Sequence, residues 1–264
     1  MSEHLRPILL GLIIAFFAGF SLFFLASKDQ SNDHPDPAPP NEETPVPDSP
    51  LWGVDSVNIA DEDFMQCITG SFGDPAVFGR YMVDKEGVSH GLTSEEIEYL
   101  HANDIAILPI YNHFEDATTY EAGVAEAEQA IAFANDYQIP EGVALFADIE
   151  PIYPVDHQFI LGWHDTIAAS PYQSGIYGVF SADSELSAAF QQAVAENEDV
   201  LAETVIWSNQ PQAGITTEAT APKEFVMEGP EGGLLYAWQY GLDAEVCNID
   251  TNLFQPEILD YLWR

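Results

Sequence analysis

"VALFADIE", residues 143–150, runs through five apolar positions and then alternates acid, isoleucine, acid. A strand buried on both faces reads as a continuous apolar run, as this segment does at first and as "IAILPI" at 105–110 does. Strand side chains alternate faces, so Asp148 and Glu150 share one side with α-carbons about 6.5–7 Å apart. Pro151 cannot continue a central ladder, which sets both acids at the carboxyl end of the strand. An ionised, unpaired carboxylate deep in a packed interior costs several kcal/mol, whereas at a barrel mouth that cost falls. The stretch is therefore a buried strand that delivers two acids to its end.

Similar β-branched or aromatic runs recur on either side, at 51–57, 77–83, 105–111, 174–180, 203–209, 234–240 and 246–250, which makes eight strands in all. Helical patterns separate several of them. "LTSEEIEYLHAND" opens with Thr93 and Glu96 at capping-box spacing, and "TTYEAGVAEAEQAIAFANDY" carries Val124, Ala127, Ile131 and Ala134 on one stripe. "PVDHQFILGWHDTIAAS" and "SADSELSAAFQQAVAENED" supply two more helices. The alternation predicts an α/β fold, a (β/α)8 TIM-like barrel over residues 51–264, because an antiparallel sandwich would alternate more cleanly. Irregularity is expected near strands six to eight, where "PQAGITTEATAPKEFVMEGPEGG" reads as loop.

Ahead of this domain, residues 8–26 are nineteen uncharged, mostly apolar positions, enough helix to cross a bilayer. We expect residues 1–27 to form a signal anchor rather than a cleaved signal peptide, since "LAS" at 25–27 is a poor cleavage site. Residues 28–50, rich in Pro and acids, read as a tether without a core. Either outcome exports the domain, to the extracellular face of the membrane if anchored and to the medium if cleaved. Export leaves two readings open for Cys67 and Cys247, a disulfide or two buried thiols.

The 44 Asp and Glu against 6 Lys and Arg give a formal net charge of -38. Such a surface repels nucleic acid and fits work in concentrated salt, where screening shortens to about 3 Å at 1 M. No Cys/His cluster has metal-ligand spacing, so neither metal nor cofactor is expected, and the domain is expected to be a monomer.

Two further acids stand at comparable strand ends, Asp55 in "LWGVDSVN" and Asp250 in "VCNIDTN". First and last strands adjoin in a closed barrel, so these would face Asp148 and Glu150 across the mouth. Four carboxylates in one pocket repel, and at least one should hold a proton near neutral pH, which is what glycosidic cleavage requires of its acid. Tyr81, Tyr111, Tyr177, Trp207 and Trp238 are read at the same level as platforms for sugar faces, with Gln239 beside them. Arg80, one of four cations after residue 50, is expected to keep a mouth carboxylate ionised.

Taken together, "GVD", "ADIE", "GIYGVF", "VIWSN", "YAWQY" and "NIDTN" resemble the family 25 glycoside hydrolases, the lysozyme-like muramidases. "GRYMV" and "GLTSEEIEYLHANDIAILPIY" more closely resemble a related glycoside-hydrolase-like domain of unknown function. The resemblance spans residues 52–255 and implies a barrel that cuts a β-1,4 linkage. It implies Glu150 as general acid and Asp148 as the carboxylate steadying developing positive charge or the substrate acetamido group. It implies Asp55 and Asp250 as the acids that orient these two. Strands two and three depart from the muramidase pattern in the region that shapes the groove. The expectation is a membrane-tethered glycoside hydrolase acting on a cell-wall or cell-surface polysaccharide, with peptidoglycan as first substrate. The alternative is a non-catalytic glycan-binding or structural surface domain on the same barrel.

Overall fold

The computed structural model describes residues 49–264, so the apolar segment at 8–26 and nearly all of the acidic tether lie outside the described residues. Among the described residues, no helix is long and apolar enough to cross a membrane. Eight strands close into a barrel in sequence order: β1 (Leu51–Asp55), β2 (Val77–Tyr81), β3 (Ala106–Tyr111), β4 (Ala144–Asp148), β5 (Gln173–Gly178), β6 (Val205–Asn209), β7 (Leu234–Gly241) and β8 (Asp250–Phe254). β1 to β7 pair in parallel.

β8 differs from a uniform barrel, running antiparallel to both β1 and β7. The connection from β7 is too short for a crossover helix, and a parallel return would need a dozen or more residues. The strand expected at 246–250 is also displaced. Cys247 and Asn248 sit at positive φ, 64° and 47°, in a turn, and the ladder begins only at Asp250. Between β6 and β7 the expected loop is present, broken only by a short 3-10 turn at Glu218–Thr220.

The helices are α1 (Glu62–Ser71), α2 (Ser94–Ala102), α3 (Tyr120–Asp136), α4 (His157–Ala168), α5 (Glu185–Glu196) and the short α6 (Asp199–Glu203). α1 and α6 were not among the helices expected from sequence. α2 begins with the capping box read there, Thr93 Oγ1 accepting from Glu96 N–H and the Glu96 carboxylate from Thr93 N–H. The core divides into two layers. Val77, Leu108, Ile110, Phe146, Trp207 and Phe254 fill the barrel, while residues such as Phe78, Ile107, Leu145, Phe159, Trp163 and Ile176 pack between strands and helices. That division reports which face each residue occupies.

Arg80 belongs to the outer layer. Its guanidinium is wholly buried, pairs with Glu96 of α2, and donates to Ser56 O at 2.6 Å and His90 O at 3.1 Å. Glu96 also accepts from Ala60 N–H at 2.8 Å, so one ion pair ties together β2, the start of α2 and the segment after β1. Cys67 of α1 and Cys247 are joined in a disulfide, with α-carbons 5.8 Å apart and a sequence separation of 180. This bond clamps α1 to the turn that launches β8.

Two stability outcomes follow from these ties. The Cys67→Ala/Cys247→Ala variant should lose about 2–5 kcal/mol, because closing so long a loop restricts the unfolded chain; a urea midpoint unchanged from wild type would contradict this. Arg80→Met should cost about 3–5 kcal/mol by stranding the Glu96 charge, and adding Glu96→Gln should recover part of that loss. Chemical denaturation of both variants and the double variant measures the coupling.

Candidate active site

β4 carries Phe146 into the barrel, so its alternation sends Asp148 inward as well, and Glu150 follows two positions later, just past the strand. Ile149 between them turns outward into the helix-facing layer and extends the ladder by donating its N–H to Tyr177 O at 3.1 Å. Asp148 is 3% exposed, and its Oδ1 has no hydrogen-bond partner. Glu150 is only partly buried.

Across the mouth, Asp55 at the end of β1 stands opposite Asp250 at the start of β8. Because β8 runs antiparallel, its first residue lies at the same end of the barrel as the last residues of β1 and β4. Amide groups fill the space between these acids. Gln239 Nε2 donates to both oxygens of Asp55, at 3.0 and 3.2 Å, and to Asp250 at 3.2 Å. Asn252 Nδ2 donates to Asp55 at 2.6 Å.

These amides are themselves held. Tyr177 O–H donates to Gln239 Oε1 at 2.6 Å and accepts from Asn209 Nδ2 at 2.7 Å, while the Trp207 indole donates to Asn252 Oδ1 at 2.9 Å. Gly79 leaves the room: a Cβ there would come within 2.7 Å of the Asp55 Cβ and 3.5 Å of the Trp207 ring.

Burial is the leading influence on every acid of the quartet. It raises Asp55 to about 6, against the hydrogen bonds from Asn252 and Gln239 and with a further push from the Glu150 charge. Asp250 rises to about 8, through burial and then the Asp55 charge, with the Asp243 N–H opposing at 2.7 Å. Asp148 is pushed well above the usual carboxylate range by burial and by its neighbours Glu150 and Asp55. Burial raises Glu150 too, and the Lys85 charge opposes the rise. The four acids are thus close enough to perturb one another, and they titrate as a set rather than singly.

Of the other residues read as site members, Tyr177, Trp207 and Gln239 face inward at the quartet. Tyr81 joins them, its phenol raised by burial and by all four acids. Three do not join them. Arg80 is a correction of place: Gly79 and Tyr81 take the inward positions of β2, which turns the guanidinium outward to Glu96, while its charge still acts to lower Asp55 as the smallest of the influences on that acid. Tyr111 lies outside the barrel wall, donating to Glu126 at 2.6 Å and packing by Trp163. Trp238 likewise points outward, its indole donating to Gln210 O at 2.9 Å.

Sequence reasoning passed over Asn209, Asn252 and Lys85. The asparagines were within reach, each lying two positions beyond an inward residue, Trp207 and Asp250. Lys85 had no such signal, since it comes from the connection between β2 and α2. Its ammonium donates to Asn112 O and Phe114 O at 3.1 and 3.2 Å and pairs with Glu115 at 3.4 Å.

The family model of the Rv2525c-like, glycoside hydrolase-like domain matches residues 75–232. The chain belongs to that family. An uncharacterized B. stearothermophilus protein is 37% identical and superposes with a TM-score of 0.78, covering 81% of this chain and 100% of its own. The Clostridium perfringens spore cortex lytic enzyme SleM shares the fold at 11% identity, with a TM-score of 0.53 over 84% of this chain and 71% of its own. A family GH25 lysozyme from Aspergillus fumigatus is 12% identical with a TM-score of 0.45, covering 78% of this chain and 94% of its own. No curated protein matches the chain by sequence.

In this Rv2525c-like domain the raised carboxyls set a pH dependence of stability. A carboxyl whose folded pKa exceeds its unfolded value favours folding at low pH, and that contribution is lost as pH rises. For Asp250 the window runs from about 4 to about 8. Asp250→Asn should therefore unfold at nearly the wild-type temperature at pH 4 but at a higher one at pH 8. Thermal melts across that range check it, and parallel curves for the two proteins would refute the raised pKa.

Proposed function

We propose that the domain is a glycoside hydrolase that works outside the cytoplasm on a cell-envelope polysaccharide, with Glu150 as general acid. The observation that carries this reading is the gathering of Asp55, Asp148, Glu150 and Asp250 at one mouth, where burial raises all four. Glycosidic cleavage needs a carboxylic acid that still holds its proton near neutral pH beside a second carboxyl. Glu150 suits the first role because it is raised yet solvent-reachable, so its proton can pass to the leaving oxygen and be replaced.

Asp148 suits the second. Its unpartnered Oδ1 is free to accept from the sugar or to face the positive charge that develops at the anomeric carbon. Asp55 and Asp250, bridged by Gln239, hold the electrostatic level of the pair from across the mouth. Tyr81 adds a phenol that stays protonated and can donate to a sugar oxygen, while Tyr177 gives its one proton to Gln239 and holds that amide in place. The disulfide supports an oxidising, exported setting. SleM, as a spore cortex lytic enzyme, favours an envelope polymer as the substrate. Anchoring through residues 8–26 remains part of the proposal.

The test is release of reducing ends from purified envelope glycans and N-acetylated oligosaccharides. Glu150→Gln should lower the rate about 10²–10⁴-fold with little change in melting temperature. Equal rates in variant and wild type would remove Glu150 from the chemistry.

A further inference from the structure

The connection that follows β2 brings a cation to the acids of the mouth. Residues 85–89 close a tight hairpin, in which Lys85 and Ser89 exchange backbone hydrogen bonds at 2.9 and 3.0 Å and Gly87 takes the turn at φ 73°. Glycine suits that turn because a side chain would be strained at such an angle. Both ends of the hairpin then dock on the end of β3. Lys85 Nζ donates to Asn112 O at 3.1 Å and Phe114 O at 3.2 Å, while Asn112 Nδ2 donates to Ser89 Oγ at 3.0 Å. On its other side the hairpin borders a cavity of about 480 Å³ against Val57 and Asn58, so its hold on the mouth comes chiefly from these bonds to β3.

The same ammonium touches the turn that carries Glu150. It lies 3.5 Å from the Tyr153 hydroxyl and 5.7 Å from the centre of the Tyr153 ring, and Tyr153 N–H donates to Glu150 O at 2.9 Å just past β4. The Lys85 side chain is mostly buried there, and the Glu115 carboxylate that pairs with it at 3.4 Å is exposed, so water screens that pairing. Arg80, Lys85, Lys223 and Arg264 are the Lys and Arg among the described residues, and of these Lys85 alone opposes the rise of both Asp148 and Glu150.

Building on the proposed hydrolase reading, we propose that Lys85 is the positioning residue of the acid pair, a cation that the 85–89 hairpin fixes between the end of β3 and the Glu150–Tyr153 turn. The chemistry asks this pair for one proton and one negative charge, Glu150 to donate and Asp148 to face the positive anomeric carbon. Burial and like charge favour two protons, and a fixed cation favours release of the first. The other ionisable groups around it are Asp84, Glu86 and His90 on the hairpin, His113 and Glu115 after β3, Tyr153 after β4, and Asp55, Asp250, Tyr81 and Tyr177 facing the pair. Only His90 and His113 among these can become cations, and both are exposed to water.

The test compares Lys85→Met and Lys85→Arg with wild type in two readouts, carbon-13 NMR titration of the Asp and Glu carboxyls and the pH profile of kcat/KM on envelope glycan. Losing the cation should move the Asp148 and Glu150 titrations, and both limbs of the profile, to higher pH by about half to one unit, whereas Lys85→Arg should keep the wild-type positions. A rate that falls equally at every pH with unmoved limbs would reduce Lys85 to a structural tie and overturn the proposal. Carboxyl titrations that coincide in all three proteins would overturn it too, even where wild type cleaves glycan. If Lys85→Met does not fold, Lys85→Gln keeps a donor for the β3 carbonyls without the charge and is held to the same shift. Titrations that move as expected while wild type cleaves no envelope glycan would remove the hydrolase reading and leave the hold of Lys85 on the pair standing.

Discussion

Asp55 and Asp250 share one side of this barrel mouth because a neutral amide, rather than a cation, fills the gap between them. A guanidinium in the place of Gln239 would have held Asp55 and Asp250 ionised and low. The amide instead satisfies oxygens on both acids while supplying no charge, so burial and mutual repulsion keep the set high. The donors run one way. Asn209 donates to Tyr177, Tyr177 to Gln239, and Gln239 to the acids, while Trp207 fixes Asn252 from the barrel interior. Each amide is therefore oriented by a partner that cannot serve as a competing cation, and the geometry of Asp55 follows from the barrel core beneath it.

That arrangement depends in turn on how the barrel closes. A parallel eighth strand would begin at the far end and deliver its last residue to the mouth, whereas the antiparallel β8 delivers its first. Asp250 and Asn252 then lie on the same face as Asp55 and Gly53 partners across the seam, close enough for Asn252 to reach Asp55. The disulfide fixes the turn from which β8 starts, and the buried Arg80–Glu96 pair fixes the chain just beyond Asp55 through Ser56 O and Ala60 N–H. Both ties sit outside the barrel wall and stiffen the mouth from behind, the Arg80 charge reaching Asp55 only as a minor lowering influence.

Much of this was legible in the sequence because it rests on period-two alternation. The continuous apolar runs gave the strands, and the alternation of Phe146, Asp148 and Glu150 gave the central pair. Asp250 was placed at the right mouth through the wrong strand: it was read as the end of a parallel strand and is the start of an antiparallel one. Parity failed at Arg80, Tyr111 and Trp238, where size and polarity were taken as signs of the site. Their inward neighbours are Gly79, Ile110 and the Ala237–Gln239 positions, and the register shift between β6 and β7 hides the last of these from a simple count. Lys85 was illegible for a different reason, since a residue from a connection has no period to reveal where it returns.

The acidity of the surface and the acidity of the mouth obey different physics. Exposed carboxylates interact through water and are screened within a Debye length, so the net charge of -38 bears on solubility and long-range repulsion and fades with added salt. The quartet is raised first by desolvation, which salt does not relieve, and only then by neighbours a few residues away in space. Amide bridging and burial thus separate the titration of the site from the charge of the shell around it. Surface acids could be exchanged for neutral residues with little effect on the raised titration of Asp55 and Asp250, whereas a single cation admitted beside Gln239 would lower both.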